Sequence, residues 1–482
     1  MKFQIIGFVL GGLITIIGVA ELIPAMIDQT AGHSNGAVFF FNALICLFLG
    51  ANLAFANRNF DRTLSAQQAF FLTTVSWIVI AFFAAIPLYM ADLEIDFVDA
   101  YFEAMSGFTT TGSTVFSGLD TMSRGVLMWR SMIEWIGGMG IVAFAVIFLP
   151  FLQIGGMQLF QTESSNQSDK MMPRSGSFIF GLFLVYCLLT LSCAFFYFLF
   201  GMSGFDAINH AMTTISTAGF STHDRSFGYF SNPWILYTAS FFMFLSALPF
   251  VLFLSLFVKK RFDFAQDAQV RTLVGIVGVL TLILTIFVFK TTGYSLERSF
   301  RHALFNLVSV ITTTGYASTD YLKWGSFASV MFLLATYIGG AAGSTSGGPK
   351  TMRLIIAAKA VNRQMKGLLY PHGVFAVNYQ GRPLTRPIIM STLGFLGLYV
   401  AVNVLMTIAV TMTGVDFITA VSAVATAMAN AGCGIGEIVG PSGNFSTLPD
   451  GAKWLLSGAM LLGRLEILTV CVLFSREYWQ DV

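Results

Sequence analysis

Four short stretches of this chain carry carbonyl and hydroxyl oxygens at matched spacing. They are Thr109-Thr110-Thr111-Gly112, Ser216-Thr217-Ala218-Gly219, Thr312-Thr313-Thr314-Gly315 and Ala429-Asn430-Ala431-Gly432. Six residues before each glycine stands a hydroxyl residue (Ser106, Thr213, Ser309, Thr426), and four before it an apolar one (Phe108, Ile215, Ile311, Met428). The glycines lie 107, 96 and 117 residues apart, the spacing of whole repeated units. None of the stretches contains a carboxylate, so a charged side-chain ring of the kind that selects divalent ions is not available. Backbone carbonyls can replace the hydration shell of a monovalent cation, and glycine lets them turn toward an axis. One such stretch alone reads as an ordinary loop or helix contact. Four matched copies predict one ion filter, built from Thr110, Thr111, Gly112, Thr217, Ala218, Gly219, Thr313, Thr314, Gly315, Asn430, Ala431 and Gly432.

The elements that position such a filter follow from composition. Of 482 residues, 56% are hydrophobic and 10% charged, against about 25% charged in soluble domains. The chain reads as a polytopic membrane protein. Five scattered cysteines imply no disulfide framework. The apolar run after Lys2 has no convincing cleavage site behind it and reads as a retained helix. Five separated histidines lack metal-ligand spacing, so no transition metal is expected, and no catalytic constellation shares one membrane depth, so the chain is not expected to be an enzyme.

Ten apolar runs are long enough to cross a bilayer, near 3–27, 36–57, 69–90, 126–152, 177–201, 233–258, 272–289, 326–349, 387–412 and 453–474. Before each glycine stretch lies a further apolar segment of about a dozen residues, about 18 Å as a helix, too short to cross. Each segment must enter and return on one side. Of 26 Lys and Arg residues, 17 fall on one side of this scheme, including Arg62, Lys170, Arg174, Arg261 and five between Lys350 and Lys366. Seven fall on the other (Arg124, Arg225, Lys290, Arg298, Arg301, Lys323, Lys453), and Arg130 and Arg464 lie within spans. The positive-inside rule then puts both termini in the cytoplasm and the four stretches toward the outside. All units have the same orientation, unlike inverted-repeat transporters.

The predicted fold is an all-α polytopic membrane protein with four helix–pore-helix–helix repeats around a pseudo-fourfold pore, plus two extra N-terminal transmembrane helices. The leading pair spans 1–62, and the repeats span 63–155, 156–262, 263–366 and 367–482.

Two further features concern the path below the filter. The run from Gly339 to Gly348 is so rich in glycine and serine that it breaks the eighth span. Gly343 to Thr351 also imitates a phosphate-binding loop, but Pro349 and the lack of a preceding strand argue against nucleotide there. Arg464 lies mid-span, where a charge costs at least about 2.5–3.5 kcal/mol, so it faces water or a partner. Glu466 and Glu134 are the candidate partners. Lys350 is either part of the same device or an inner-face anchor.

The Thr-Thr-Thr-Gly first stretch, its degenerate later copies, Phe220-Ser221-Thr222-His223, the run from Ile338 to Gly348 and Gly463-Arg464-Leu465-Glu466 resemble the bacterial TrkH/TrkG potassium uptake subunits, of the superfamily that includes KtrB. The resemblance covers nearly the whole chain. It implies potassium at the filter residues and uptake across the bacterial inner membrane. It further implies a homodimer in the lipid bilayer, joined to a cytosolic TrkA-like regulatory ring that binds NAD or ATP/ADP, so that no cofactor sits on this chain. It makes Gly339, Gly340, Gly343, Ser344, Gly347, Gly348 and Lys350 parts of a gating loop, and Arg464 an electrostatic barrier pointing into the pore. The alternative is a potassium symporter coupled to Na⁺ or H⁺. Nucleic acid is not an expected partner. Ala218, Asn430 and Ala431 depart from a strict threonine filter.

Overall fold

The computed structural model of the chain describes residues 3–59, 65–148, 175–260 and 262–480. Four helices of nearly equal length, Ala66–Met90, Ser175–Leu199, Ala268–Thr292 and Arg386–Thr411, contain 25, 25, 25 and 26 residues. Each is about 38 Å long, enough to cross a hydrocarbon core of about 30 Å. Leu191, Phe195, Leu282 and Leu405 on these helices are all more than half exposed. Apolar surface on this scale suits lipid rather than water. The chain is a multi-pass membrane protein.

After each long helix comes a short one: Phe97–Phe108, Gly204–Ile215, Leu296–Ile311 and Phe417–Ala429, of 12, 12, 16 and 13 residues. Three of them start at a side-chain cap. Ser203, Ser295 and Asp416 accept hydrogen bonds from the amides of Asp206, Arg298 and Thr419, satisfying donors that the first helical turn leaves free. All four end at the predicted filter stretches. A return helix follows, and neighbouring units interlock: the first return helix packs on the second short helix, and the fourth return helix packs on the first short helix. One hydrophobic core is built mainly from the second and third units. The other comes from the leading helices with the first and fourth units.

The two leading helices, Gln4–Thr30 and Asn35–Ala56, approach closely where Gly11 faces Ala54: a Cβ on Gly11 would lie 2.4 Å from the Ala54 amide nitrogen. Buried Asn42 donates to Glu21 at 2.8 Å. Asp28 accepts from Ser123 at 2.9 Å and from the Gly125 amide at 2.7 Å, which ties this pair to the first return helix.

The return helices depart from the predicted straight spans. The first, Arg124–Phe148, is continuous. The second breaks between Ser246 and Phe250 with an 89° bend, and the fourth breaks after Arg464 with a 111° bend. The third ends at Thr336 and resumes at Thr351, so the predicted interruption is longer than 339–348. Pro249 explains the second break, because it has no amide hydrogen and disfavours helix in the residue before it. The groups released there are taken up by the third interruption: Ala341 donates to Ala247 at 2.9 Å and Phe250 to Gly343 at 3.0 Å. At the fourth break Glu466 adopts a φ of 63°. Arg464 therefore sits at a helix end and not mid-helix.

The boundaries at 62 and 155, together with Arg62, Lys170, Arg174 and Arg261, lie outside the described residues. The boundary at 366 falls inside helix Thr351–Leu369.

Candidate functional site

Each stretch leaves its short helix by the same turn. The amide one residue before the glycine donates to the carbonyl six before it: Thr111 to Ser106 at 2.8 Å, Ala218 to Thr213 at 3.0 Å, Thr314 to Ser309 at 2.8 Å and Ala431 to Thr426 at 2.9 Å. The hydroxyl-bearing position seen in the sequence is thus the acceptor of a repeated backbone bond. Two before the glycine, Thr110, Thr217, Thr313 and Asn430 have φ of 51°, 53°, 60° and 53°. A left-handed conformation costs a non-glycine residue about 1–2 kcal/mol. Four occurrences in one register mark a turn imposed by its surroundings.

The glycines join the four turns into a ring. Gly112, Gly219 and Gly315 have φ of 78°, 100° and 84°. A Cβ on Gly112 would lie 1.7 Å from the Ala218 carbonyl oxygen, one on Gly219 1.8 Å from the Thr314 carbonyl oxygen, and one on Gly315 2.3 Å from the Gly432 amide nitrogen. On Gly432 it would lie 3.0 Å from the Gly112 carbonyl oxygen, which closes the circle. All twelve predicted filter residues belong to this ring. Its four glycines also line a single recess of about 80 Å³, with His223, Asp224 and Asn444 at its edge.

The copies differ in how their hydroxyls are held. Thr109 and Thr111 share a hydrogen bond of 2.7 Å, and Thr312 and Thr314 share one of 2.8 Å. The second copy has Ala218 in place of the outer partner, and the fourth has alanine at both positions. Asn430 compensates across the ring: its Nδ2 donates to Thr111 Oγ1 at 3.0 Å and to the Met460 carbonyl at 2.9 Å.

Three buried charges behind the ring were not assigned to it from sequence. Arg130 pairs with Glu103 at 2.8 Å and donates to the Ser221 carbonyl at 3.0 Å. Glu103 also accepts from the Val115 amide at 2.9 Å. Glu134 accepts from the Phe220 amide, the first beyond Gly219, at 3.1 Å. The signal available was a charge inside an apolar run. Arg130→Met leaves Glu103 buried and unpaired, a loss of about 3–5 kcal/mol. A lower unfolding temperature of the purified protein is the expected result; an unchanged one overturns this anchoring role.

In the segment beyond the second stretch, the His223 ring stacks on Tyr229 with centroids 3.5 Å apart, and its Nδ1 contacts Asp120 at 2.5 Å. Asp206 lies 3.5 Å from its Nε2. Burial pulls the His223 pKa down, but the bonds to Asp206 and Asp120 outweigh it and hold the imidazole above its ordinary 6.5. A raised folded-state pKa gives stability that is fully present below about 6.5 and is lost as pH rises through the raised value. The expected result is an unfolding temperature that falls as pH rises above about 6.5, by less in His223→Gln than in wild type. Identical pH profiles would contradict this latch.

Below the ring, residues 337–350 form an irregular loop containing all the predicted glycine-run residues, Gly339, Gly340, Gly343, Ser344, Gly347 and Gly348. Backbone without regular structure at this depth needs internal partners, and here the partners are the glycine-ended stretches of the ring. Thr217 Oγ1 donates to Thr345 Oγ1 at 3.3 Å, and Thr345 Oγ1 donates to the Ile215 carbonyl at 3.0 Å. Ser346 donates to the Thr312 carbonyl at 2.8 Å, and the Gly347 amide donates to Thr313 Oγ1 at 2.7 Å. A Cβ on Gly347 would lie 2.2 Å from the Ala429 carbonyl oxygen. The loop thus meets the second, third and fourth stretches. Thr110 Oγ1 of the first is buried with no hydrogen-bond partner among the described residues.

Lys350 folds back so that its Nζ donates to the Ser346 carbonyl. Arg464, 5% exposed, donates from Nη1 to the Thr345 carbonyl at 2.9 Å, while its Nε and Nη2 have no acceptor among the described residues. Neither candidate carboxylate takes it. Glu466 pairs with Arg353 at 2.6 Å, and Glu134 is committed to the Phe220 amide.

Residues 35–481 match the TrkH family, described as cation transport protein. The Trk system potassium uptake protein TrkI of Halomonas elongata is 43% identical over 420 residues, covering 87% of this chain and 85% of that one. The Trk system potassium uptake protein TrkH of Escherichia coli strain K12 is 34% identical over 486 residues, covering all of both chains. The crystal structure of the potassium transporter TrkH from Vibrio parahaemolyticus superposes with a TM-score of 0.92 at 34% identity, covering 99% of this chain and 100% of that one. With the family matched along nearly its whole length and a solved relative of the same fold, this chain belongs to the TrkH family of cation transport proteins.

Proposed function

We propose that this chain is the membrane pore of a bacterial potassium uptake system, with potassium passing through the ring of Thr110 to Gly112, Thr217 to Gly219, Thr313 to Gly315 and Asn430 to Gly432. The closed ring of four glycines carries this reading, because it gathers the Gly112, Ala218 and Thr314 carbonyl oxygens of three stretches and the Gly432 backbone of the fourth in one place. Each short helix also ends at the ring with its C-terminus, where the helix dipole is negative and favours a cation. The names of the relatives, Trk system potassium uptake proteins, support potassium as the ion.

In this reading the loop 339–348, with Lys350 and Arg464, is the gate. It hydrogen-bonds to the ring itself, so shifting it breaks contacts at the second, third and fourth stretches together. The chain works as a homodimer in the inner membrane with both termini cytoplasmic. A TrkA-like cytosolic ring that binds NAD or ATP/ADP shifts the gate, its docking side marked by the exposed basic helix Thr351–Leu369.

The test is ion flux in proteoliposomes of the purified chain, with K⁺ and Na⁺ gradients varied separately. Flux whose reversal follows the K⁺ gradient alone is the expected result. A reversal that moves with Na⁺ or H⁺ would replace the pore by a symporter, and transport independent of any cation would end the filter reading.

A further inference from the structure

The outer face carries a cavity of about 850 Å³ beside the filter mouth, sharing Asp224, Ala317 and Pro441 with the recess over the glycine ring. Its walls come from the segments that follow the second, third and fourth filter stretches and from the start of the third short helix. Four of the seven Lys and Arg residues assigned to the outer side line it: Arg225, Arg298, Arg301 and Lys323. Outward cations run against the topological trend of membrane chains, so their concentration in one cavity requires a cause.

These cations are incompletely paired. Arg225 and Arg298 have no carboxylate partner among the described residues, and the Arg298 guanidinium lies 4.2 Å over the Tyr294 ring. Arg301 reaches Glu297 through Nη1 at 3.4 Å, and its buried Nε has no acceptor among the described residues. The two carboxylates in the lining are engaged: Asp320 caps the Leu322 amide at 3.2 Å and lies 3.6 Å from Lys323, and Asp224 accepts from the Leu119 amide at 3.1 Å. With Glu297 counted, four cations meet three carboxylates, each of them already engaged.

We infer that this cavity binds a phosphate group. Guanidinium groups present paired N–H donors that match phosphate oxygens, and the volume lies within the range of small-molecule sites. Trp234 and Phe300, each next in sequence to a lining residue (Pro233 and Arg301), are 61% and 42% exposed. Aromatic side chains of this kind sit at headgroup level in a bilayer, so an anionic phospholipid headgroup and free phosphate are the two sources of this chemistry. An occupant bridges the segments beyond three of the four filter stretches and steadies the outer mouth.

The experiment uses purified, delipidated full-length protein. Separate arms titrate dioleoylphosphatidylglycerol, inorganic phosphate and dioleoylglycerol, which lacks phosphate. Lipid binding is read by native mass spectrometry and phosphate binding by equilibrium dialysis. The expected result is saturable binding at one site per chain, weakened at least about tenfold in R225Q/R298Q and unchanged in K290Q, whose residue lies outside the cavity. Binding of phosphatidylglycerol alone assigns the lipid headgroup, binding of phosphate alone assigns the free anion, and binding of both assigns the shared group. Absence of saturable binding, equal binding of dioleoylglycerol, or a double variant that binds like wild type overturns the proposal. Arg225 and Arg298 are exposed, so the double variant retains the fold.

Discussion

Gly112→Ala and Gly219→Ala abolish potassium uptake, whereas Gly432→Ala leaves a measurable fraction. The order follows from what each new methyl group meets. At Gly112 and Gly219 it would sit 1.7 and 1.8 Å from a carbonyl oxygen of the next stretch, far inside contact distance. That oxygen belongs to backbone, which no rotamer change can move aside. The positive φ of both residues adds about 1–2 kcal/mol of strain for alanine. Relief therefore requires opening the ring, and on the proposed path through it a displaced carbonyl no longer replaces ion hydration. At Gly432 the nearest atom is 3.0 Å away and φ is not positive, so a shift of a few tenths of an ångström suffices. Uptake measured in cells lacking other potassium transporters, normalised to purified protein, should fall at least about a hundredfold for the first two variants and within about tenfold for the third. Gly315→Ala, with 2.3 Å to an amide nitrogen, belongs with the first two. Equal effects at all four positions would mean that the ring is not the path.

The fourfold plan was legible because it rests on local signals: apolar run length, a short segment before each stretch, and a recurring glycine. What the sequence left closed is mostly non-local. The bonds that hold the filter from behind join Arg130 to Ser221 and Glu134 to Phe220, 91 and 86 residues apart. Hydropathy also treats 233–258 and 453–474 as straight spans, since it registers that a residue is apolar but not that the helix bends beneath a loop. Pro249 is a local signal of one bend that the length of the apolar run overrode, and the reason for the bend is spatial: Ala341 and Gly343 complete the backbone bonding there. The departures at Ala218, Asn430 and Ala431 were visible, but not what replaces the missing hydroxyls. Asn430 spans to Thr111 and Met460, so the fourth stretch is braced by its neighbours where the first and third brace themselves.

Arg464→Ala raises cation flux, and comparison with Arg464→Gln separates the two reasons for it. The side chain hydrogen-bonds the Thr345 carbonyl, and Thr345 in turn bonds the second stretch through Thr217 and Ile215. Removing it frees one attachment of the loop. It also removes a buried positive charge with no carboxylate partner among the described residues. A unit charge about 8 Å from a passing cation, at an effective dielectric of about 20, opposes it by about 2 kcal/mol, roughly a thirtyfold effect on entry. Glutamine keeps an N–H donor but carries no charge. If the barrier is electrostatic, Arg464→Gln and Arg464→Ala raise flux alike, and Arg464→Lys stays near wild type. If the anchoring of the loop dominates, glutamine retains much of the block and alanine loses it. Flux in proteoliposomes at matched protein content gives the comparison, with a monodisperse elution profile as the control for folding. Unchanged or lower flux in both neutral variants would remove Arg464 from the gate and leave it as a structural clasp for the loop.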